Sequence, residues 1–210
     1  MALTKLVKIN DKLGWALWKI DTDWQQLLAC SNFQSEDLQA IETISHPQKK
    51  AEYLASRLAL HQLLKAFQMP QTSIIKDIYG KPYAKHGSYH ISLANSFPYG
   101  VAVLNLDQIT GIDIERPSDK LLRVQHKFLH EQEAHLQHQA DNLCLAWCTK
   151  ECLYKLHGRK RLSFKHHIRI TEIQYPSKPY IYAEIYYDQE YVTYKLLIEQ
   201  VENYFIVMSL

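Results

Sequence analysis

The stretch "TGIDIERP" occupies Thr110–Pro117, near the middle of a 210-residue chain. Ile112 and Ile114 alternate with Asp113 and Glu115, so a β-strand here would send the isoleucines to one face and the carboxylates to the other. The isoleucines suit a buried face. Two carboxylates side by side repel, which is tolerable on a solvated strand face. The same pair also offers hard oxygen ligands of the kind that bind Mg²⁺. So short a pattern recurs by accident, and the rest of the chain has to decide between the two readings.

The composition is that of an ordinary globular protein, with 47% apolar and 22% charged residues. A chain this long buries a real core, as one domain or two small halves. The formal charge of +2 gives no electrostatic argument for nucleic acid as a partner, and the eleven histidines are scattered. No apolar run is long enough to cross a bilayer. The opening "MALTKLVKINDKLGWALWKI" is broken by Lys5, Lys8, Asp11 and Lys12, unlike a signal peptide. These features lead to the expectation of a cytoplasmic protein with neither nucleic acid nor membrane as partner. Cys144, Cys148 and Cys152 recur every fourth residue. That spacing suits neither a disulfide nor a zinc site and reads as core packing.

"LVKI" and "WALWKI" in the first 20 residues read as a hairpin. "SHPQKKAEYLASRLALHQLLKAFQ" has the helix signature, with Ser45 placed to cap and Pro47 in the first turn. "YGKPY" is turn chemistry, and "YHISLANSFPYGVAVLNL" reads as strand, turn, strand. After "GIDIE", the segment "LLRVQHKFLHEQEAHLQHQADN" is at least partly helical. Its His126, His130, His135 and His138 lack metal-ligand spacing and fit a solvated face. "LCLAWCTKECLYKLHG" is a helix stopped by Gly158, and antiparallel strands rich in tyrosine fill the remainder. The expected fold is therefore α+β, with two pseudo-symmetric halves, 1–110 and 111–210. Each is a helix on a small antiparallel sheet, and the halves are expected to pack closely with the site at their interface.

In "LCLAWCTKECLYKLHG", Trp147, Glu151 and Lys155 share a stripe at four-residue steps, with Lys150 beside it. A Glu–Lys pair at that spacing is a common surface feature. Here Cys148, Cys152, Leu153 and Tyr154 leave little solvated face, and charges in an apolar setting need partners.

Three blocks in order, Gly111–Glu115, Phe128 to Glu133 and Trp147 to Lys155, resemble the 4′-phosphopantetheinyl transferase superfamily, in its longer single-chain type with two pseudo-symmetric halves. "GKPY" (Gly80–Tyr83) and the helix segment ending at Arg57 resemble upstream family segments. The resemblance spans roughly residues 45–165 and is specific in the combination of its blocks. It implies transfer of the 4′-phosphopantetheine arm of coenzyme A to a serine of an apo acyl or peptidyl carrier protein. Mg²⁺ would be held by Asp113, Glu115 and Glu151. Lys155, with Lys150 alongside, would act on the departing phosphate. Glu151, or a metal-bound water, would take the serine proton, with Glu133 assisting. Arg57, Lys81 and Asn95 would hold the nucleotide's phosphates. At two places the chain departs from the family pattern: Asn95 replaces a histidine that contacts a coenzyme A phosphate, and "HGRKR" replaces a glycine-lysine-glycine. The alternative is a catalytically weakened or inactive coenzyme A-binding relative. A Mg²⁺-dependent nucleotide phosphotransferase lacks its usual signature, since there is neither a P-loop nor a G-x-G-x-x-G.

Overall fold

A computed structural model describes residues 2–158 and 162–210. The chain forms two compact units, Met1–Thr110 and Gly111–Leu210, and both have α+β architecture. The first begins with the hairpin β1 (Ala2–Lys8) and β2 (Leu13–Lys19). Helices α1 (Trp24–Leu28), α2 (Ser35–Thr43) and α3 (Pro47–Ala66) follow. The unit closes with β3 (Ile74–Lys76), β4 (Pro82–Ala84), β5 (His90–Ser96) and β6 (Tyr99–Asn105). Its main sheet is antiparallel in the order β1-β2-β6-β5.

The long helix α3 lies on that sheet through Leu54, Leu58, Ala59 and Leu63, all fully buried. The helix N-cap is His46, whose Nδ1 accepts the Gln48 N–H at 3.2 Å, and not the expected Ser45; Pro47 takes the first helical position. Contact between helix and sheet is so close that a Cβ on Gly100 of β6 would fall 2.3 Å from the Ser56 nitrogen. Only glycine fits there. The short helices α1 and α2 carry too few residues for periodicity to announce them.

The second unit runs β7 (Ile112–Glu115), α4 (Asp119–Phe128), a 3₁₀ helix (Glu131–Leu136), α5 (Ala140–His157), α6 (Phe164–His167), β8 (Ile168–Ile173), β9 (Tyr180–Tyr187), β10 (Glu190–Val201) and β11 (Tyr204–Ser209). The five strands pair antiparallel in the order β7-β11-β10-β9-β8. Helix α5 ends as expected, with Gly158 in the left-handed region at φ 90°. Cys144, Cys148 and Cys152 are fully buried in the core beneath it. Here too a glycine permits the approach: a Cβ on Gly111 would meet the Cys152 carbonyl oxygen at 2.2 Å.

Strand β7 corrects the simplest reading of its alternation. The carboxylate face is largely withdrawn from solvent, with Glu115 half-buried. Ile112 and Ile114 are fully buried, and Asp113 is only 6% exposed. Asp113 pairs in register with Val207 of β11, a member of the core cluster that α5 completes, so its carboxylate shares the face covered by the helix. Among the described residues no helix is long and apolar enough to cross a membrane.

Candidate active site

The carboxylate of Asp113 projects from β7 under the C-terminal turns of α5. Lys155 Nζ donates to Asp113 Oδ1 at 2.7 Å and to the Ile112 carbonyl at 3.2 Å. The two side chains are 12% and 9% exposed. Burial works against the charge on Lys155. The Asp113 charge and hydrogen bond outweigh it, with help from Glu151, and hold the ammonium's pKa above its usual value. Cys152 and Cys148 line the same space, and burial pushes both thiols up, with the Asp113 charge adding to it. The site therefore holds one lysine and one aspartate in a setting that keeps neighbouring thiols neutral.

This ion pair leaves one atom over. Asp113 Oδ2 is buried and has no hydrogen-bond partner. A buried carboxylate oxygen without a donor costs about 1–3 kcal/mol or more, so it marks a place where a ligand would restore what folding removed from water. Glu115 and Glu151 are half-buried. The charge of Glu115 reaches Cys148, and that of Glu151 reaches Lys155. Three carboxylates are hard oxygen donors suited to Mg²⁺, and the orphaned Oδ2 supplies a ligand atom already desolvated. The residues fit the ion chemically. Among the described residues, no three His, Cys, Asp or Glu side chains stand gathered as a ready-made metal group.

Asp113 also bears on stability. Its pairing with a half-buried lysine means that Asp113→Ala strands a charge, and the neutral isostere Asn becomes the informative substitution.

Glu133 and Lys150 are brought together, but to each other. Lys150 Nζ lies 2.7 Å from Glu133 Oε2, with both side chains 0% exposed. The ammonium also donates to the carbonyls of Ile168 at 2.6 Å and Phe164 at 3.0 Å. Glu133 accepts the N–H groups of Ile170 at 2.6 Å and His130 at 2.7 Å, the latter closing a capping box on the 3₁₀ helix. Burial lowers the Lys150 pKa despite the Glu133 charge. The ammonium donors and both carboxylate oxygens are engaged in tying α5 to the 3₁₀ helix, α6 and β8. Trp147 packs nearby, edge-on to Phe128 at 5.2 Å and tilted against Phe164 at 5.4 Å.

The expected nucleotide contacts lie in the first unit. Arg57 is 5% exposed, its Nε donating to Asp37 Oδ1 at 2.5 Å and its guanidinium 3.3 Å from the Tyr53 ring centroid. Tyr53 also donates its hydroxyl to Asp37, at 2.9 Å. Asp37 was not singled out by any pattern; twenty residues separate it from Arg57, and only the fold joins them. Lys81 sits in the turn between β3 and β4, its backbone N–H bonded to Asp77 Oδ1 at 2.9 Å. Asn95 is exposed near the end of β5. Of the "HGRKR" departure, residues 159–161 lie outside the described residues.

No curated protein matches the chain. A family match does exist. It runs from just before β7 to near the end of β11, taking in Asp113, Glu115, Glu133, Lys150, Glu151 and Lys155 and leaving Arg57, Lys81 and Asn95 outside. Over residues 109–207, just under half of the chain, the sequence matches the family model of the 4′-phosphopantetheinyl transferase superfamily, and the ordered blocks lie largely within that match.

Proposed function

We propose that the protein transfers the 4′-phosphopantetheine arm of coenzyme A to a serine of an apo acyl or peptidyl carrier protein in a Mg²⁺-dependent reaction. The observation that carries this reading is the half-satisfied Asp113, with Oδ1 on Lys155 and Oδ2 buried without a partner. In this reading Asp113, Glu115 and Glu151 hold the ion, which when bound neutralises charge on the coenzyme A pyrophosphate. Lys155, fixed by Asp113 and the Ile112 carbonyl, lends positive charge to the departing phosphate. Glu151, one turn before Lys155 on α5, takes the proton of the serine hydroxyl. A P–O bond forms to the serine oxygen as the pyrophosphate P–O bond breaks, and 3′,5′-ADP leaves. Chemistry of this kind rests on positioning and charge neutralisation more than on covalent help from the protein.

Glu133 and Lys150 enter this reading as the pair that fixes α5, because their polar atoms are already committed. Arg57, Lys81 and Asn95 are proposed as coenzyme A contacts. Asn95 would give a neutral hydrogen bond, and Arg57 is already charge-compensated by Asp37.

The test is incubation of the full chain with coenzyme A, Mg²⁺ and several apo carrier proteins, read by intact mass spectrometry. A phosphopantetheine adduct is expected, lost on chelation and reduced at least about a hundredfold in Asp113→Asn, the loss typical of removing one key electrostatic group. Coenzyme A binding without an adduct on any carrier would establish the catalytically weakened relative instead. Undiminished transfer by Asp113→Asn would remove the metal assignment.

A further inference from the structure

At the edge of the five-stranded sheet opposite β7 lies a cavity of about 60 Å³. Three histidines line it (His130, His166 and His167), together with Arg169, Glu184, Tyr186 and Tyr191. Every one of these side chains can hydrogen-bond, and none is aliphatic. A void of this kind holds water or a polar ligand, and its volume is several times the roughly 10–15 Å³ that one water needs.

The histidine tautomers decide which ligand. His130 Nδ1 accepts the Gln132 N–H at 3.1 Å, and His167 Nδ1 accepts the Ser163 N–H at 2.8 Å. A neutral imidazole that accepts at Nδ1 carries its proton on Nε2. Both rings therefore offer N–H donors and no free lone pair, so a metal would first have to break two backbone bonds. Arg169 is held by Gln132 Oε1 and Glu184 Oε2, each at 2.6 Å, across the direct β8–β9 pairing of Arg169 with Glu184. Those bonds use two of the five N–H groups a guanidinium has. Tyr186 and Tyr191, with ring centroids 4.5 Å apart, add hydroxyls. Donors outnumber acceptors, and the one carboxylate present, Glu184, is committed to Arg169.

We propose that this cavity binds a phosphate group through the Nε2–H groups of His130 and His167, the remaining N–H groups of Arg169 and the tyrosine hydroxyls. Because Glu184 balances Arg169, the site works through many hydrogen bonds and little net charge. Affinity is accordingly modest, on the order of millimolar, the weak end of the usual affinity scale. The phosphate comes either as the free ion or on a planar molecule. Tyr186 and Tyr191, 38% and 65% exposed, are available to stack on the latter.

The experiment is a titration of the ¹⁵N-histidine- and ¹⁵N-arginine-labelled full chain with inorganic phosphate, followed by NMR at neutral pH and constant ionic strength. The Nε2–H signals of His130 and His167 and the Arg169 signals should shift saturably, while those of His46 and His86 stay put. Arg169→Gln should weaken binding about tenfold, the usual loss for a hydrogen bond to a charged group. The exposed variant Tyr191→Phe should weaken it a few-fold without risk to the fold. Adenosine monophosphate binding about tenfold more tightly than phosphate, with the gain lost in Tyr191→Ala, identifies a phosphate carried on a planar molecule; equal affinities identify the free ion. Linear shifts shared by all histidines, or affinity unchanged in both Arg169→Gln and Tyr191→Phe, overturn the proposal. So does zinc binding at lower concentration than phosphate with loss of the Nε2–H signals.

Discussion

Helix α5 carries two lysines, each 2.7 Å from a carboxylate, and the two pairs differ in almost every other respect. Lys150 and Glu133 are sealed from solvent, and the three ammonium N–H groups and both carboxylate oxygens all have partners within the protein. Lys155 and Asp113 keep some exposure, and one carboxylate oxygen has no partner. Burial depresses the pKa of the first lysine, whereas acidic neighbours overcome burial and raise that of the second. A third pair, Lys85–Glu36 in the first unit, has the same 2.7 Å separation but stands at the surface. Distance alone therefore distinguishes none of them. Completeness of hydrogen bonding does: the first pair is closed, both oxygens of Glu133 having partners, whereas Asp113 keeps one oxygen open, as does Asp37 beside Arg57.

If the closed pair is structural, breaking it is the most damaging change available. Glu133→Ala strands a buried ammonium and should cost about 3–5 kcal/mol, measured by urea denaturation. The double replacement Glu133→Leu, Lys150→Met removes both charges and should recover much of that loss while keeping transfer activity. A folded double variant without activity would show that the closed pair takes part in the chemistry, and the contrast would collapse.

The open pair should respond in the opposite way. Lys155→Met keeps the apolar stem and loses the charge. We expect kcat to fall about a hundredfold, as for loss of one preorganised electrostatic group, with a much smaller change in coenzyme A affinity. Equal losses in both, or an unfolded protein, would make Lys155 a second structural lysine.

Asn95 tests a contact that neither pair supplies. A charged histidine hydrogen-bonds phosphate more strongly than a neutral amide. Asn95→His should therefore lower KM for coenzyme A by roughly tenfold or less, most clearly below pH 7. A variant that gains activity from an inert parent would support the weakened-relative reading, and one unchanged at every pH would place Asn95 away from the phosphate.

The smallest effect belongs to the surface pair. Hydrogen bonds from Lys85 and Ser73, then from its own backbone and Ser35, lower the Glu36 pKa from 4.5 to about 2. A carboxylate with a depressed folded-state pKa contributes stability above pH 4.5 and loses it progressively as pH falls towards about 2. Glu36→Gln should flatten the acid side of the stability curve only in that window, and less so in high salt. An unchanged curve would mean the pair contributes nothing measurable.

Much of this was legible in the residues themselves. The alternation in Ile112–Glu115, the apolar stripe of α3, the stop at Gly158 and the stacked cysteines are local patterns, and local backbone preference with side-chain periodicity was enough to place them. Residue type and spacing likewise marked Asp113, Glu151 and Lys155 as a chemical group. Tertiary structure alone decided that Asp113 faces the helix and not water, because that depends on Gly111 letting α5 come within contact distance of the chain entering β7. It also decided which lysine is closed and which open. Lys150 and Lys155 sit on one helix in similar sequence surroundings, but their partners come from distant segments: the 3₁₀ helix and β8 for one, β7 for the other. Burial and hydrogen-bond completion are properties of what packs around a side chain, and no local pattern encodes them.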